Sequence, residues 1–234
     1  MPEASAHPTA ADLLADVQAE LEPVERAVRG HPFLTALAEG RVARDRLADL
    51  AAEQQSIIGS DRRSFAFLAA RFPAAPAGDL FLGLAQGEGT ALEHLAGFAR
   101  WLGLDPASLG DREPSARGQA YTAFVAWLAL NGSATDVAVA FLANLAAWGE
   151  NCGRVSAALA GQHDAGPEAT AFFDFFATPA PGFREHALAV VQAGLAAGDP
   201  PAQARHAARL LQSYELMFWD SLMDPWPPAP AGAP

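Results

Sequence analysis

The chain has one cysteine, Cys152, so neither a disulfide framework nor a Cys-x-x-Cys site can be built from it. A lone thiol fits a reducing compartment. Basic residues are scarce: 15 Lys and Arg stand against 27 Asp and Glu, a formal charge of −12, and no stretch gathers them. Nucleic acid and anionic membrane surfaces both require a basic footprint, so direct binding to either is not expected. No uninterrupted apolar run reaches about 18 residues, and no charged segment leads into an apolar one at the start, so neither a membrane span nor a secretory leader is expected. The sequence reads as soluble and cytoplasmic. Period-2 alternation of β-branched residues is also missing, which argues against strands.

What is present is a helical pattern. Of the 234 residues 51% are apolar, enough to fill a large core without metal or disulfide. Ala and Leu dominate, and Gly/Pro clusters recur at helix-length intervals. The pattern predicts helices at 10–29, 32–39, 43–72, 78–103, 114–131, 134–161, 167–177, 182–197 and 201–223. No internal repeat is visible, so these form one all-α domain over 10–224. The ends, "MPEASAHPTA" and "PWPPAPAGAP", are rich in small residues and proline, and 1–9 and 225–234 are expected to be loose.

Several polar residues stand where these helices should be dry. In "SYELMFWDSLMD" the wheel places Leu211, Glu215, Phe218 and Leu222 in one narrow sector, with Tyr214 beside it and Gln212 and Asp220 opposite. An ionised Glu is rarely buried without a partner, because removing its water is costly. The segment "VAVAFLANLAAWG" carries no charge and should be the buried centre of a bundle, yet Asn144 shares a face with Phe141, Trp148, Asn151 and Val155. In the 43–72 helix, Gln54 and Asp61 lie on the stripe of Leu47, Ala51, Ile58, Phe65 and Phe72. One buried amide often only satisfies a neighbouring backbone group. Polar residues on three such faces point to an internal pocket for a small ligand.

Three stretches resemble a known family. "HPFLTALAEGRVARDRLADLAAEQ" is similar to the HPF-x5-DG-x4-RF-to-QD segment of TenA-like proteins, the thiaminase II group within the haem-oxygenase-like helical fold. "YELMFWD" resembles that family's closing YE-x-x-FW motif, and "YTAFVAWLALNGSATDVAVAFLANLAAWGE" the stretch leading into its LLPC-x-W-x-Y segment. The resemblance implies a haem-oxygenase-like bundle, a pocket for an aminopyrimidine or thiamin, a role in thiamin metabolism, no bound cofactor, and a homo-oligomer, commonly a tetramer. It places the proton-transferring glutamate at Glu215, the following aromatic at Phe218 and a stacking tyrosine at Tyr121. At the other positions the chain departs. Gln54 stands at the anchoring aspartate, with Glu53 before it. Asn144 stands at the catalytic cysteine, Trp148 at a tyrosine, and Phe172 at a further pocket tyrosine.

These departures change the expected chemistry. An amide cannot act as a covalent nucleophile. Cys152 does not replace the lost thiol, because it lies eight residues on and about 80° round the helix, and is expected to be a small buried hydrophobe. Gln54 gives a neutral donor and acceptor in place of a charge. Trp148 and Phe172 make the pocket drier and suit a flat ligand stacked with Tyr121 and Phe218. A metal site has poor support: Glu88, Glu93, His94 and Glu150 are candidates, but the later helices add only His186 and His206. Glu150 reads more simply as the partner of Arg154, "LEHL" as a solvated turn, and His31 as part of a helix start with Pro32. In "SDRRS", Asp61 either pairs with a cation inside, or Arg62 or Arg63 reaches the pocket rim to hold an anionic group.

Three functions stay open. The chain is a hydrolase acting by acid–base chemistry through Glu215, with Asn144 and Gln54 orienting the substrate and water as nucleophile. Alternatively it is a non-catalytic binding or regulatory homologue, or an enzyme of cofactor-independent oxidative chemistry as in PqqC-type relatives.

Overall fold

In a computed structural model, residues 8–178 and 180–223 are described, and among them every predicted helix is present with ends within two residues of expectation. They are α1 (Ala10–Arg29), α2 (Pro32–Ala38), α3 (Arg44–Arg71), α4 (Ala77–Trp101), α5 (Ala116–Asn131), α6 (Ala134–Gln162), α7 (Pro167–Ala177), α8 (Phe183–Ala197) and α9 (Pro201–Ser221). A 3-10 turn at Pro106–Asp111, started by the Asp105 carboxylate on the Ala107 N–H at 3.0 Å, is an addition to the sequence reading. Apart from Pro8 and Thr9, the two ends expected to be loose lie outside the described residues.

Local chemistry sets the helix ends. Thr9 and Asp12 form a capping box on α1, and Ser133 and Asp136 form another on α6. His31 precedes Pro32, and its ring Nδ1 accepts the Phe33 N–H at 3.2 Å, so the expected helix-start role holds. Its Nε2 lies 3.2 Å from Asp220 on α9. Gly198, in the left-handed conformation at φ 99°, ends α8.

Helix α6 is the axis of the bundle. From Val137 to Asn144 every side chain is buried, as a charge-free run predicts. It packs against α9, α7, α8, α2 and α1, while α3 lies on α4 and α5, and α5 on α9. One apolar cluster runs through the whole bundle, so the chain is a single all-α domain. Among the described residues no helix is long and apolar enough to cross a membrane.

Two local expectations are corrected. Gln212, read as lying opposite the buried stripe of α9, is fully buried, because α9 is covered by α1 and α5 as well as α6. Glu150 pairs with Arg29 at 2.8 Å and not with Arg154, which donates instead to the Arg29 carbonyl; the end of α1 crosses α6 here and offers the nearer guanidinium.

Candidate functional site

The polar intruders of the buried faces meet. Four residues of α3 (Gln54, Ile57, Ile58, Asp61), Glu88 of α4, Tyr121 of α5, four of α6 (Phe141, Asn144, Leu145, Trp148), Phe176 of α7, and Glu215 and Phe218 of α9 enclose a cavity. It contains about 420 Å³ of atom-free space including its open mouth. Leu145 and Phe176 are only half-buried and mark the open side.

Six of the seven residues singled out from the sequence as catalytic or substrate-binding therefore stand in one wall: Gln54, Tyr121, Asn144, Trp148, Glu215 and Phe218. Phe172 does not. It is fully buried behind the wall, edge-on to Phe173 and Phe176 at centroid distances of 5.1 and 5.2 Å, and Phe176, one turn later, takes the cavity position. Glu53, beside Gln54, turns to the start of α5 and accepts the Ser115 N–H at 2.7 Å.

At the centre is a short hydrogen-bonded chain. The Tyr121 hydroxyl donates to Asn144 Oδ1 at 3.1 Å, and Asn144 Nδ2 donates to Glu215 Oε2. The other Glu215 oxygen accepts the Trp219 indole N–H at 3.3 Å. All of these groups are buried. Burial pushes the Glu215 carboxyl up to about 8, against a partial opposing pull from the Trp219 N–H. It also raises the Tyr121 hydroxyl and the Cys152 thiol well above their ordinary values. Cys152 is buried in the core and outside the cavity wall, so it is the small hydrophobe that its spacing suggests. Asn151 is occupied too, donating to the Val28 carbonyl at 3.1 Å.

Two further acids reach the cavity. Asp61, on the stripe as expected, has Oδ1 buried with no hydrogen-bond partner, and Glu88 has Oε2 in the same state. Burial raises both carboxyls well above the ordinary range, and the Asp61 charge adds to the push on Glu88. The internal ion pair expected for Asp61 in "SDRRS" is not formed. Among the described residues Asp61 makes no ion pair, and Arg62 and Arg63 are exposed and outside the cavity lining, with the Arg62 guanidinium against Gly89 of α4. Glu88, weighed in the sequence only as a metal ligand, was otherwise missed, although Phe81, Glu88 and Leu95 recur at seven-residue intervals on one face of α4. Glu93 is exposed, and His94 lies against Phe175 at 5.7 Å. Among the described residues no group of three or more His, Cys, Asp or Glu is placed to hold a metal ion.

Residues 18–225 match the model of the TENA/THI-4/PQQC family. The fold is that of several solved proteins. A TenA homologue from P. horikoshii OT3 superposes with a TM-score of 0.73 at 16% identity, covering 90% of this chain and 97% of that one. A TenA homologue from Pseudomonas syringae pv. tomato DC3000 gives 0.76 at 14% identity, over 95% and 96%. A domain of unknown function with a haem-oxygenase-like fold from Shewanella denitrificans OS217 gives 0.69 at 12%, over 90% of each chain. At these identities the likeness is one of fold. No curated protein is similar enough to match.

Proposed function

The chain belongs to the TENA/THI-4/PQQC family, and from that membership and the cavity geometry we propose that it binds a small planar ligand of the pyrimidine or thiamin type and acts on it by acid–base hydrolysis through Glu215. The carrying observation is the Glu215 carboxyl itself. It is buried in the wall of an aromatic cavity and titrates at about 8, so it both holds and releases a proton close to neutral pH. Trp148, Phe218 and Tyr121 give flat faces for stacking, and Gln54 gives a neutral donor and acceptor at the rim of the ring.

With an amide at position 144 there is no covalent intermediate. A water beside Asn144 attacks the ring carbon bearing an exocyclic amine. Ionised Glu215 takes the proton of that water and returns it to the departing ammonia, so the enzyme ends as it began. Turnover by this route rises with pH along a limb near pH 8, the value at which Glu215 becomes a base. A pH profile of kcat/KM for an aminopyrimidine tests it; a flat profile through that region removes Glu215 from the base role.

One observation favours the binding-protein reading. Both Glu215 oxygens already accept a hydrogen bond, from Asn144 and Trp219. The first experiment is therefore a melting series with thiamin, 4-amino-5-aminomethyl-2-methylpyrimidine and related pyrimidines, followed by product analysis with any compound that binds. A ligand at a hundred times its dissociation constant adds about 2.7 kcal/mol. Stabilisation with ammonia release that Glu215→Gln abolishes supports the hydrolase; stabilisation without turnover makes the chain a binder. If no pyrimidine stabilises it, the ligand class proposed here is wrong. Oxidative chemistry needs cationic acid–base groups in the wall, and the described lining has no Arg, Lys or His.

A homo-oligomer belongs to the same proposal. Phe67, Leu82, Trp127 and Leu130 are each about half exposed or more on α3, α4 and α5, an apolar surface that burial against another copy would remove from water. Light scattering of the purified protein decides this; a monomer at micromolar concentration contradicts it.

A further inference from the structure

The cavity has a pronounced charge asymmetry. Its ionisable wall consists of Asp61, Glu88, Glu215 and Tyr121, and no cationic side chain lines it. Glu215 has its donors in Asn144 and Trp219, but Asp61 Oδ1 and Glu88 Oε2 have none. Both residues are more than nine-tenths buried, at 3% and 8% exposure. The cations nearest in sequence to Asp61, Arg62 and Arg63, are exposed and outside the cavity lining; the Arg62 guanidinium rests against Gly89 of α4, and neither arginine donates to the two unpartnered oxygens.

We propose that Asp61 and Glu88 form the ionic subsite of this cavity, holding a protonated amine or an amidinium group on its ligand. This rests on the reading of the cavity as the ligand site. Two unpartnered buried carboxylate oxygens facing one space are a costly arrangement unless something supplies donors and positive charge. A planar ligand with an ammonium or amidinium group supplies both. Its ring lies among Trp148, Phe218 and Tyr121 while its cationic end reaches α3 and α4. An anionic ligand meets acids there and is excluded.

The position explains a departure in the sequence. The resemblance puts the family's ionic anchor at residue 54, where this chain has a neutral glutamine. Asp61 follows seven residues later, two turns along the same face of α3 and about 10 Å up the axis. In this chain the acids on the α3 and α4 side of the pocket are Asp61 and Glu88. The ligand is thus expected to carry its cation at a different distance from Glu215 than the family pattern implies.

The test is calorimetric titration of the whole protein with a matched set of probes: benzamidine and benzylamine as cations, benzamide and benzyl alcohol as neutral counterparts, and benzoate. Each is repeated with Asp61→Asn, Glu88→Gln and, as a control on the exposed face of α4, Glu93→Gln. Both pocket substitutions preserve shape and replace a buried acid with a neutral amide, so the variants are expected to fold; their free melting temperatures check this. The expected result is preference for the cations, a loss of about tenfold or more in their affinity with either pocket substitution, and no change with Glu93→Gln. If neutral and cationic probes bind equally well and the substitutions change nothing, the cavity is a ligand site but Asp61 and Glu88 are a neutral acid pair, and the subsite is wrong. If no probe of either kind binds, the reading of the cavity as a ligand site falls with it.

Discussion

Asn144 is the residue on which the site turns, because an amide suits both charge states of Glu215. With Glu215 ionised, Asn144 Nδ2 donates to it and Oδ1 accepts from Tyr121. With Glu215 protonated, the same amide rotated by half a turn accepts the carboxyl proton and donates to the Tyr121 oxygen. Neither alanine nor aspartate can do both. Asn144→Ala leaves a buried hydroxyl and a buried carboxyl short of partners, and about 1–3 kcal/mol of stability is expected to go, against about 1 for Tyr121→Phe. Urea unfolding of the two variants checks the order; an Asn144→Ala loss no larger than that of Tyr121→Phe contradicts the linked arrangement. Much of this was legible in the sequence, because Gln54, Asp61, Asn144 and Glu215 each interrupt an apolar stripe. Glu88 sits on such a stripe too, but it lies between Gly87 and Gly89, where small residues blur the period. Phe172 and Phe176 share a face of α7, and no spacing tells which of the two reaches the cavity.

Helix α7 brings Phe176 to that cavity, and two glycines set its distance. A Cβ on Gly97 of α4 would stand 2.3 Å from the Glu168 carbonyl oxygen near the start of α7, and one on Gly149 of α6 would stand 2.8 Å from the Phe176 carbonyl oxygen near its end. Alanine normally gains about 1 kcal/mol over glycine inside a helix. Here backbone atoms would have to move, so Gly97→Ala and Gly149→Ala are each expected to destabilise by about 1–3 kcal/mol net. Only Gly149→Ala displaces Phe176, which stacks edge-on against Trp148 at 5.8 Å. A change in the near-ultraviolet spectrum confined to Gly149→Ala, with both variants losing stability, is the expected outcome; equal spectra would mean that α7 does not transmit the shift to the cavity. The helices themselves were readable because capping residues and Gly/Pro breaks agree with the apolar period at nearly every end. Their spacing was not, since a glycine in a helix looks the same whether it faces water or a neighbouring backbone.

For the molecule as a whole, buried acids and net charge act on stability in the same direction. Glu215, Asp61, Glu88 and Glu53 are all raised by burial, so the folded protein keeps protons that the unfolded chain gives up. For Glu215 the unfolded value is 4.5 and the folded value about 8. Its stabilising effect is complete below the first and is lost as pH rises through the second. Asp12 and Glu22 are lowered and act oppositely, but both are fully exposed and their effect is screened. A formal charge of −12 adds self-repulsion that also grows as pH rises. The melting temperature is therefore expected to fall between about pH 5 and pH 8.5. Salt separates the causes, since at about 0.5 M the Debye length is only about 4–5 Å, which suppresses surface repulsion but reaches buried groups far less. The slope that survives salt belongs to the buried acids, and Glu215→Gln should remove a measurable part of it, so that the variant gains on the parent as pH rises. If parent and variant melt in parallel across the range at high salt, Glu215 is not held protonated in the folded protein, and the acid–base role proposed for it loses its physical basis.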